Sequence, residues 1–351
     1  MNNHIENKPC TINDIAKRAG VSKTTISRFL NGKLEYMSEA TVQRIKDIIA
    51  DTGYKPSNVA RSLKNRKSML IGLIVADIES PFSSACIKSI GDSARHLGYS
   101  LLIENSDNNP EKEKKHIQSM LQHQVDGLIF NAVSYKKSNV DVLCSKGLPV
   151  VLLDRFIESR QLDIAYLDCS QPVKEAIDHL RQQGYGRIAL FAQPYKDISP
   201  RFMRRDSFIS YMSSLDVTSP EKLVYSNITT SADSFCNALS RLMVLSRKDS
   251  CPPAVIVTNG VASIYAVRAA KSLGLSVPDE LGICGYDEWG WASDIIWDGI
   301  LENGFTTMTS SIQALGESTV NLLARRMSSP EASLQQEIIP VRLIVRGSTQ
   351  R

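Results

Sequence analysis

Residues 11–32 read TINDIAKRAGVSKTTISRFLNG, and their spacing predicts the structure at the start of the chain. The segment 11–14 places a hydroxyl three residues before a carboxylate, as in a capping box, and apolar residues then recur at helical spacing up to Gly20. Ser22 is placed to cap a second helix, which the Asn-Gly pair at 31–32 ends because both residues tolerate a left-handed backbone. The stretch therefore predicts two short helices joined by a tight turn, the arrangement of a helix-turn-helix.

A third helix is predicted from Ser38 to Gly53, bracing the first two. Residues 1–68 hold thirteen Lys and Arg against six Asp and Glu, whereas 69–351 carries a net charge of −3. A basic segment on a slightly acidic body indicates that one end of the chain meets a polyanion, although a small bundle whose charges only face water is an alternative. The outer face of the second helix carries polar and basic side chains that could reach bases and phosphates in a major groove. We therefore expect double-stranded DNA to be contacted by Lys23, Thr24, Thr25, Ser27 and Arg28.

The whole chain of 351 residues, with 42% hydrophobic and 22% charged residues, has the composition of a soluble globular protein. It contains no apolar run of membrane-spanning length and no secretory signal, so we expect a cytoplasmic protein without a membrane partner. The seven cysteines lack metal-ligand spacing, which predicts neither a bound metal nor a disulfide framework. The five histidines form no catalytic constellation, so neither an enzymatic activity nor a cofactor is predicted.

From Met69 onward, short apolar runs alternate with helical periodicities in two successive series. Strands spaced by helices predict parallel sheets flanked by helices, and two series predict an α/β body of two lobes. Ligands bind beyond the carboxyl ends of such strands, so the polar residues that follow the runs are binding candidates. Cap and turn roles are the alternative for each of them. The predicted strands are 70–75, 99–103, 127–130, 150–153, 187–191, 254–257 and 281–284.

The order of AGVS, TISR, LNG, GYKP and ARSL along residues 19–63 resembles the headpiece of the lactose-repressor (LacI/GalR) family. The resemblance implies that Lys23 and Thr24 read bases and that Arg28 contacts DNA further along the helix. It also implies a hinge helix that folds when two copies meet on a pseudo-palindromic operator, with an apolar wedge in the minor groove. The hinge residues expected at the DNA are Ser57, Asn58, Ala60 and Leu63, of which Leu63 is the wedge.

The resemblance continues through the body, in PVVLLDR at 149–155, GLSVPDELGICGYD at 274–287 and LIVRGST at 343–349. It implies a two-lobed, periplasmic-binding-protein-like body that binds a small effector, and a homodimer that could associate further. The expected domains are a helix-turn-helix headpiece at 1–56, a hinge helix at 57–68 and a body at 69–351, with an N-lobe of about 69–169 and 309–328 and a C-lobe of about 170–308 and 329–351.

By motif match, the resemblance implies effector contacts in the body, with Phe82 as an apolar wall. Where the family usually has an Asn-Asp pair, this chain has Asn-Gly at 259–260, so one carboxylate contact is missing. Trp289 and Trp291 lie immediately beyond a predicted strand, where an indole could stack on a sugar, whereas Trp297 could equally pack the lobe interface. The expected effector-binding residues are Phe82, Asn131, Asp154, Arg204, Asn259, Asp287, Trp289 and Trp291.

Arginines crowd the expected cleft, and a guanidinium binds carboxylates in a bidentate manner, which favours an acidic over a neutral sugar. The NGKLEYMSEAT motif and the Trp-x-Trp after Asp287 also resemble repressors of 2-keto-3-deoxygluconate use. We therefore expect a ligand-responsive transcriptional regulator, a repressor, whose operator affinity is controlled by a sugar or sugar acid. The sign of that control is open. The alternatives are a sugar-binding or chemosensory protein without gene regulation, or a sugar-acid enzyme with a fused DNA-binding segment.

Overall fold

The structure is a computed structural model that describes residues 10–30, 32–54, 67–136, 139–195, 197–226, 228, 231–288 and 304–351. The chain divides into two units, the headpiece Met1–Ser68 and the body Met69–Arg351. Each unit has its own hydrophobic core.

The headpiece is formed by three helices, α1 (Ile12–Ala19), α2 (Lys23–Leu30) and α3 (Glu39–Thr52). The predicted capping box is confirmed, because the Asp14 backbone N–H donates to Thr11 Oγ1 and the Thr11 N–H donates to Asp14 Oδ2. Gly20 ends α1 with a φ of 65°, a left-handed conformation that glycine adopts without strain. The three helices share a small core of Ile15, Ala16, Ala19, Ile26 and Ile45.

The N-lobe of the body is built on a six-stranded parallel sheet in the order β11-β5-β4-β3-β1-β2. The central strands are buried along their whole length, as expected when helices cover both faces of a sheet. Runs predicted at 127–130 and 150–153 are confirmed to the residue. The strands are β1 (Leu70–Val75), β2 (Ser100–Asn105), β3 (Gly127–Phe130), β4 (Val150–Leu153), β5 (Asp163–Leu167) and β11 (Gln336–Ile339).

The C-lobe repeats the pattern in a second six-stranded sheet, ordered β12-β10-β9-β8-β6-β7. All of its pairs are parallel except the edge pair of β10 and β12. The prediction of two lobes with parallel sheets and helices is therefore confirmed. The strands are β6 (Ile188–Phe191), β7 (Val224–Tyr225), β8 (Ala254–Val257), β9 (Gly282–Tyr286), β10 (Thr306–Ser310) and β12 (Val341–Ile344).

Helices connect the strands of both lobes and cover their sheets. Pro110 opens one of them and Pro200 lies in the first turn of another, where the missing N–H of proline has no intrahelical partner to lose. The helices of the body are α4 (Pro81–His96), α5 (Pro110–Gln122), α6 (Asp141–Ser145), α7 (Gln171–Gln182), α8 (Ser199–Ser214), α9 (Ala232–Ser246), α10 (Gly260–Ser272) and α11 (Ile312–Ser328).

The chain passes between the lobes after β5, after β10 and between β11 and β12. The prediction that 329–351 belongs wholly to the C-lobe is wrong, because β11 pairs with β5 in the N-lobe sheet. The buried Asp163 holds this segment there. Its Oδ2 atom lies 2.6 Å from Arg326 Nε on α11, and its Oδ1 accepts from the Gln335 N–H at 2.7 Å. Three of the four residues of β11 are exposed, so the strand carries no apolar run that a sequence pattern could show.

Helices α4 and α11 approach closely at Gly316 in the N-lobe. A Cβ atom added there would lie 2.6 Å from Ser89 Cβ and 3.0 Å from the Ile90 backbone nitrogen. Ser89 is itself fixed, since its hydroxyl donates to the Gln313 carbonyl at 2.9 Å. The close crossing of the two helices therefore requires glycine at this position.

We expect Gly316→Ala to lower the free energy of unfolding by about 1–3 kcal/mol, because the added methyl group overpacks the α4–α11 contact. Gly91→Ala on α4 is the matched control, since its Cβ would meet only Leu101 Cδ2, at 3.9 Å. That control should be neutral or stabilising, as alanine is the better helix former. Thermal and urea unfolding of both variants measure the difference, and equal effects would contradict the close-packing account.

Candidate functional site

A cavity of about 440 Å³ lies between the two lobes of the body and is called here the interlobe cavity. Residues that follow strands β1, β3, β4, β6, β8 and β9 line it, as expected for the carboxyl ends of parallel strands. The first turns of α4 and α8 complete the wall. The volume lies within the usual range for a small-molecule site. The lining residues are Asp77, Glu79, Ser80, Phe82, Ser83, Asn108, Asn131, Asp154, Arg155, Leu167, Gln193, Ile198, Pro200, Arg201, Arg204, Thr258, Asn259, Val261 and Asp287.

Every described residue that the sequence predicted at the effector lines this one cavity. The six are contributed by both lobes and are separated by up to 205 positions along the chain, so the fold alone brings them together. Trp289 and Trp291 lie outside the described residues. The six are Phe82, Asn131, Asp154, Arg204, Asn259 and Asp287.

Two aspartates occupy equivalent places in the two lobes. Asp154 directly follows β4 and Asp287 directly follows β9, and both have a left-handed backbone, with φ of 60° and 67°. Asp154 Oδ1 accepts from the Leu167 N–H at 3.3 Å, and Asp287 Oδ2 accepts from the Gly260 N–H at 3.0 Å. Burial raises the pKa of both carboxyl groups, and the positive charge of Arg204 partly offsets that rise.

Arg204, on the second turn of α8, is buried, and both carboxylates contribute to the electrostatic field at its guanidinium. Its Nη1 donates to the Thr258 carbonyl at 2.6 Å, and its guanidinium carbon lies 3.9 Å from the centre of the Tyr286 ring. The buried Nε atom has no hydrogen-bond partner in the described part of the chain. Burial opposes the charge, but Cys169, Tyr286 and the two aspartates together raise the pKa of Arg204. It is therefore a fixed cation at the wall of the cavity.

The two asparagines at the cavity already hold parts of the fold. Asn131 donates from Nδ2 to the Leu153 carbonyl at 2.8 Å and accepts from the Ala76 N–H at 3.3 Å, so it connects three strand ends of the N-lobe. Asn259 caps α10 by accepting from the Ala262 N–H at 2.8 Å, while its Nδ2 donates to Gln193 Oε1 at 2.6 Å. Each amide therefore has a structural role besides facing the cavity.

Two further arginines line the cavity, although motif matching did not select them as effector contacts. Arg155 donates from Nη1 to the Ala132 carbonyl at 3.0 Å, and Arg201 donates from Nη1 to the Pro194 carbonyl at 2.9 Å. Burial lowers the pKa of both groups. Their signal in the sequence was the density of arginine near the predicted cleft. Asn105 and Asp107 also follow a predicted strand, but they do not line the interlobe cavity. They hydrogen-bond to each other, and Asn105 Oδ1 accepts from the Ile78 N–H.

An ion pair and several hydrogen bonds beside Asp287 were not predicted from the sequence. Arg346 Nη2 lies 2.5 Å from Glu288 Oε1, and the Thr307 hydroxyl donates to Glu288 Oε2 at 3.0 Å. Arg346 Nη1 also donates to the Phe305 carbonyl at 2.9 Å. These bonds join the end of β9, the start of β10 and the segment after β12, and so help to fix the left-handed backbone of Asp287.

In the headpiece, Lys23, Thr24 and Arg28 on α2 are exposed, whereas Thr25 and Ser27 are half-buried. Ser22 acts as the cap of α2, because its hydroxyl accepts from the Thr25 N–H at 3.1 Å and contacts the Thr25 hydroxyl at 2.9 Å. The Arg28 guanidinium lies 5.4 Å from the centre of the exposed Tyr36 ring. The predicted hinge contacts, Ser57, Asn58, Ala60 and Leu63, lie outside the described residues.

Within the described ranges, no group of three or more His, Cys, Asp and Glu side chains could hold a metal ion. A search of the same residues finds no helix with the length and apolar character needed to cross a membrane.

Two family descriptions match the chain, one in each unit. Residues 11–57 match the lacI family of bacterial regulatory proteins, and residues 177–349 match a periplasmic binding protein-like domain. The first match spans the three helices of the headpiece, and the second spans most of the C-lobe together with α11 and β11.

Curated relatives match over nearly the whole chain. The transcriptional regulator KdgR of Bacillus subtilis is 31% identical over 338 residues, covering 96% of this chain and 97% of its own. The transcriptional regulator PtxS of Pseudomonas aeruginosa is also 31% identical, with coverages of 97% and 95%. Both are described as helix-turn-helix-type transcriptional regulators.

Among solved structures, a lac repressor dimer bound to operator and the anti-inducer ONPF matches with a TM-score of 0.83 and 24% identity. It covers 98% of this chain and 100% of its own, which shows that the fold is shared throughout. The chain therefore belongs to the lacI family of bacterial regulatory proteins, and it is a transcriptional regulator with a helix-turn-helix headpiece.

Proposed function

We propose that this regulator senses an acidic sugar in the interlobe cavity and that occupancy of the cavity controls the affinity of the headpiece for an operator. The observation that carries the proposal is how three guanidinium groups are bonded, those of Arg155, Arg201 and Arg204. Each donates to a backbone carbonyl, and none lies within 4 Å of a carboxylate in the part of the chain that the structure describes.

Three cations at one cavity without a direct carboxylate partner favour an anionic ligand, because a guanidinium forms its strongest hydrogen bonds with carboxylate or phosphate. The remaining polar groups suit hydroxyls. Asp154 and Asp287 are acceptors for sugar O–H groups, and the guanidinium of Arg204 suits a ring or chain oxygen. A cavity of about 440 Å³ is large enough for a hexonic acid and its ordered water.

The sugar acid that we propose to test first is 2-keto-3-deoxygluconate. The resemblance of the headpiece motif to repressors of its use supports the choice, as does the similarity to KdgR over nearly the whole chain. The identities of about 30% to several regulators leave room for a different hexonic or hexuronic acid. A thermal-shift screen of sugar acids against the full chain ranks the candidates by the stabilisation that bound ligand confers.

On the DNA side, we propose that Lys23 and Thr24 read bases from the N-terminus of α2 and that Arg28 contacts DNA further along, with Thr25 and Ser27 in support. The exposure of the first three side chains supports this assignment. We further propose that the chain acts as a homodimer on a pseudo-palindromic operator, with Leu63 as a minor-groove wedge and Ser57, Asn58 and Ala60 at the same site. The operator-bound dimer among the similar structures supports the dimer.

Coupling between effector and operator requires that the effector distinguish two arrangements of the lobes. An effector in the interlobe cavity could do so, because the acidic and basic groups of the cavity come from both lobes. Asp154 belongs to the N-lobe, and Arg204 and Asp287 belong to the C-lobe. A ligand that bonds to both sides stabilises one lobe arrangement over others, and operator affinity changes with it.

We expect Arg204→Ala to abolish the response of operator binding to the sugar acid while operator binding itself is retained. Loss of the guanidinium removes a buried hydrogen-bonding cation from the cavity and should weaken effector binding roughly 30-fold or more. Calorimetry with 2-keto-3-deoxygluconate and a DNA mobility assay measure the two effects.

Arg205→Ala is the matched control for this variant. It removes a guanidinium from the neighbouring position on α8, where Arg205 is already paired with Asp206 and stacks 4.4 Å from the centre of the Tyr195 ring. Its effector response should be preserved. An unchanged response in Arg204→Ala would place the effector site elsewhere.

We expect Lys23→Ala to weaken specific operator binding roughly 5- to 100-fold, as for the loss of a good base contact. Lys46→Ala removes the same charge from an exposed position on α3 and should cost far less. Affinities for an operator obtained by in vitro selection, measured at fixed salt, compare the two variants. Equal losses would mean that Lys23 contributes only to the general charge of the headpiece.

A further inference from the structure

Arg201 lies on the first turn of α8, at the junction of two cavities. One is the interlobe cavity, and the second, called here the outer cavity, adjoins it with a volume of about 900 Å³. Arg201, Asn108 and Ile198 line both. Tyr195 and Asp197 from the C-lobe and Ser134 from the N-lobe form further parts of the outer wall. A ligand atom bound to Arg201 could therefore face either space.

The three guanidinium groups at the interlobe cavity differ in what balances their charge. Arg204 lies in the field of Asp154 and Asp287, and it is stacked on Tyr286. Arg155 lies in the field of Asp154, Asp77 and Glu113. Arg201 has one hydrogen bond to a carbonyl and no carboxylate within 4 Å in the described ranges.

The field at Arg201 is dominated by charges of its own sign. Burial, followed by repulsion from Arg155 and Arg204, lowers the pKa of Arg201 to about 10, with only Asp77 acting in the other direction. A partly buried cation held near two others is unfavourable for the empty protein. A bound anion reverses that balance, because it replaces lost water and screens the repulsion between the three groups.

We propose that Arg201 is the residue that selects an acidic effector over its neutral analogue, with the effector carboxylate at the junction of the two cavities and the hydroxylated chain toward Asp154, Arg204 and Asp287. This inference rests on the function proposed above. It assigns the acid group to the arginine with the fewest carboxylates in its field and leaves the recognition of hydroxyls to Arg204. Groups attached beyond the carboxylate end would then enter the outer cavity.

The test compares pairs of sugars that differ only in a carboxylate and a hydroxymethyl group. The pairs are 2-keto-3-deoxygluconate with 3-deoxyfructose, gluconate with glucitol, and galacturonate with galactose. Dissociation constants for the full chain are measured by calorimetry, and the ratio of neutral to acid within a pair is the preference for acid. We expect Arg201→Gln to reduce that preference roughly 10- to 100-fold while affinity for the neutral member stays within a few-fold.

Arg205→Gln is the control, because it removes a guanidinium one turn further along α8 that is already paired with Asp206, and it should keep the full preference. Arg201→Lys retains the charge without the planar fork and should keep part of the preference. Since repulsion from Arg155 and Arg204 outweighs the attraction of Asp77 at Arg201, Arg201→Gln should also melt at an equal or higher temperature than the parent without ligand. This readout shows that the variant is folded.

The outcomes separate the two proposals. An undiminished preference for acid in Arg201→Gln would overturn the role of Arg201 and leave the acidic effector in place. Failure of every acid to bind the parent protein, or equal binding of acids and neutral analogues, would overturn the acidic effector and this inference with it. A collapse of affinity for acid and neutral sugars alike in Arg201→Gln would assign Arg201 a general binding role rather than selection.

Discussion

A buried arginine in the electrostatic field of two aspartates is the interaction on which the interlobe cavity depends. Arg204 of the C-lobe lies in the field of Asp154 from the N-lobe and Asp287 from the C-lobe, and its ring partner Tyr286 ends the strand that precedes Asp287. Burial raises the pKa of both carboxyl groups, and the positive charge of Arg204 partly offsets that rise. The guanidinium itself is held within the C-lobe, by its hydrogen bond to the Thr258 carbonyl and its stacking on Tyr286.

The fold brings these charged groups together with few specific sequence requirements. Two parallel sheets place their carboxyl strand ends against each other, and one left-handed residue after β4 and another after β9 direct a carboxylate toward the same space. The remaining polar groups at the cavity mostly hold the strand ends in place, as Asn131 and Asn259 do. The site is therefore largely preformed, and ligand energy is available to discriminate between lobe arrangements rather than to build the site.

Much of the fold could be predicted from the sequence because its determinants are local. The capping box at Thr11, the glycine stop at Gly20 and the fully apolar central strands each carry their own signal. Strand β11 could not be predicted, since it is an exposed edge strand fixed by the buried Asp163. Motif matching selected six described residues that the structure places at one cavity. The different charges around Arg204 and Arg201 could not be predicted, because they come from residues that are distant in the sequence.

The central claim is that one chain couples a sugar acid in its body to DNA at its headpiece, and reciprocity tests it most directly. Operator affinity is measured with and without saturating 2-keto-3-deoxygluconate, and the affinity for that acid is measured with and without saturating operator. Linkage requires the two ratios to be equal, and a repressor released by its effector predicts that both affinities fall, by roughly 5- to 150-fold. An operator affinity that is unchanged by the bound acid would contradict the account.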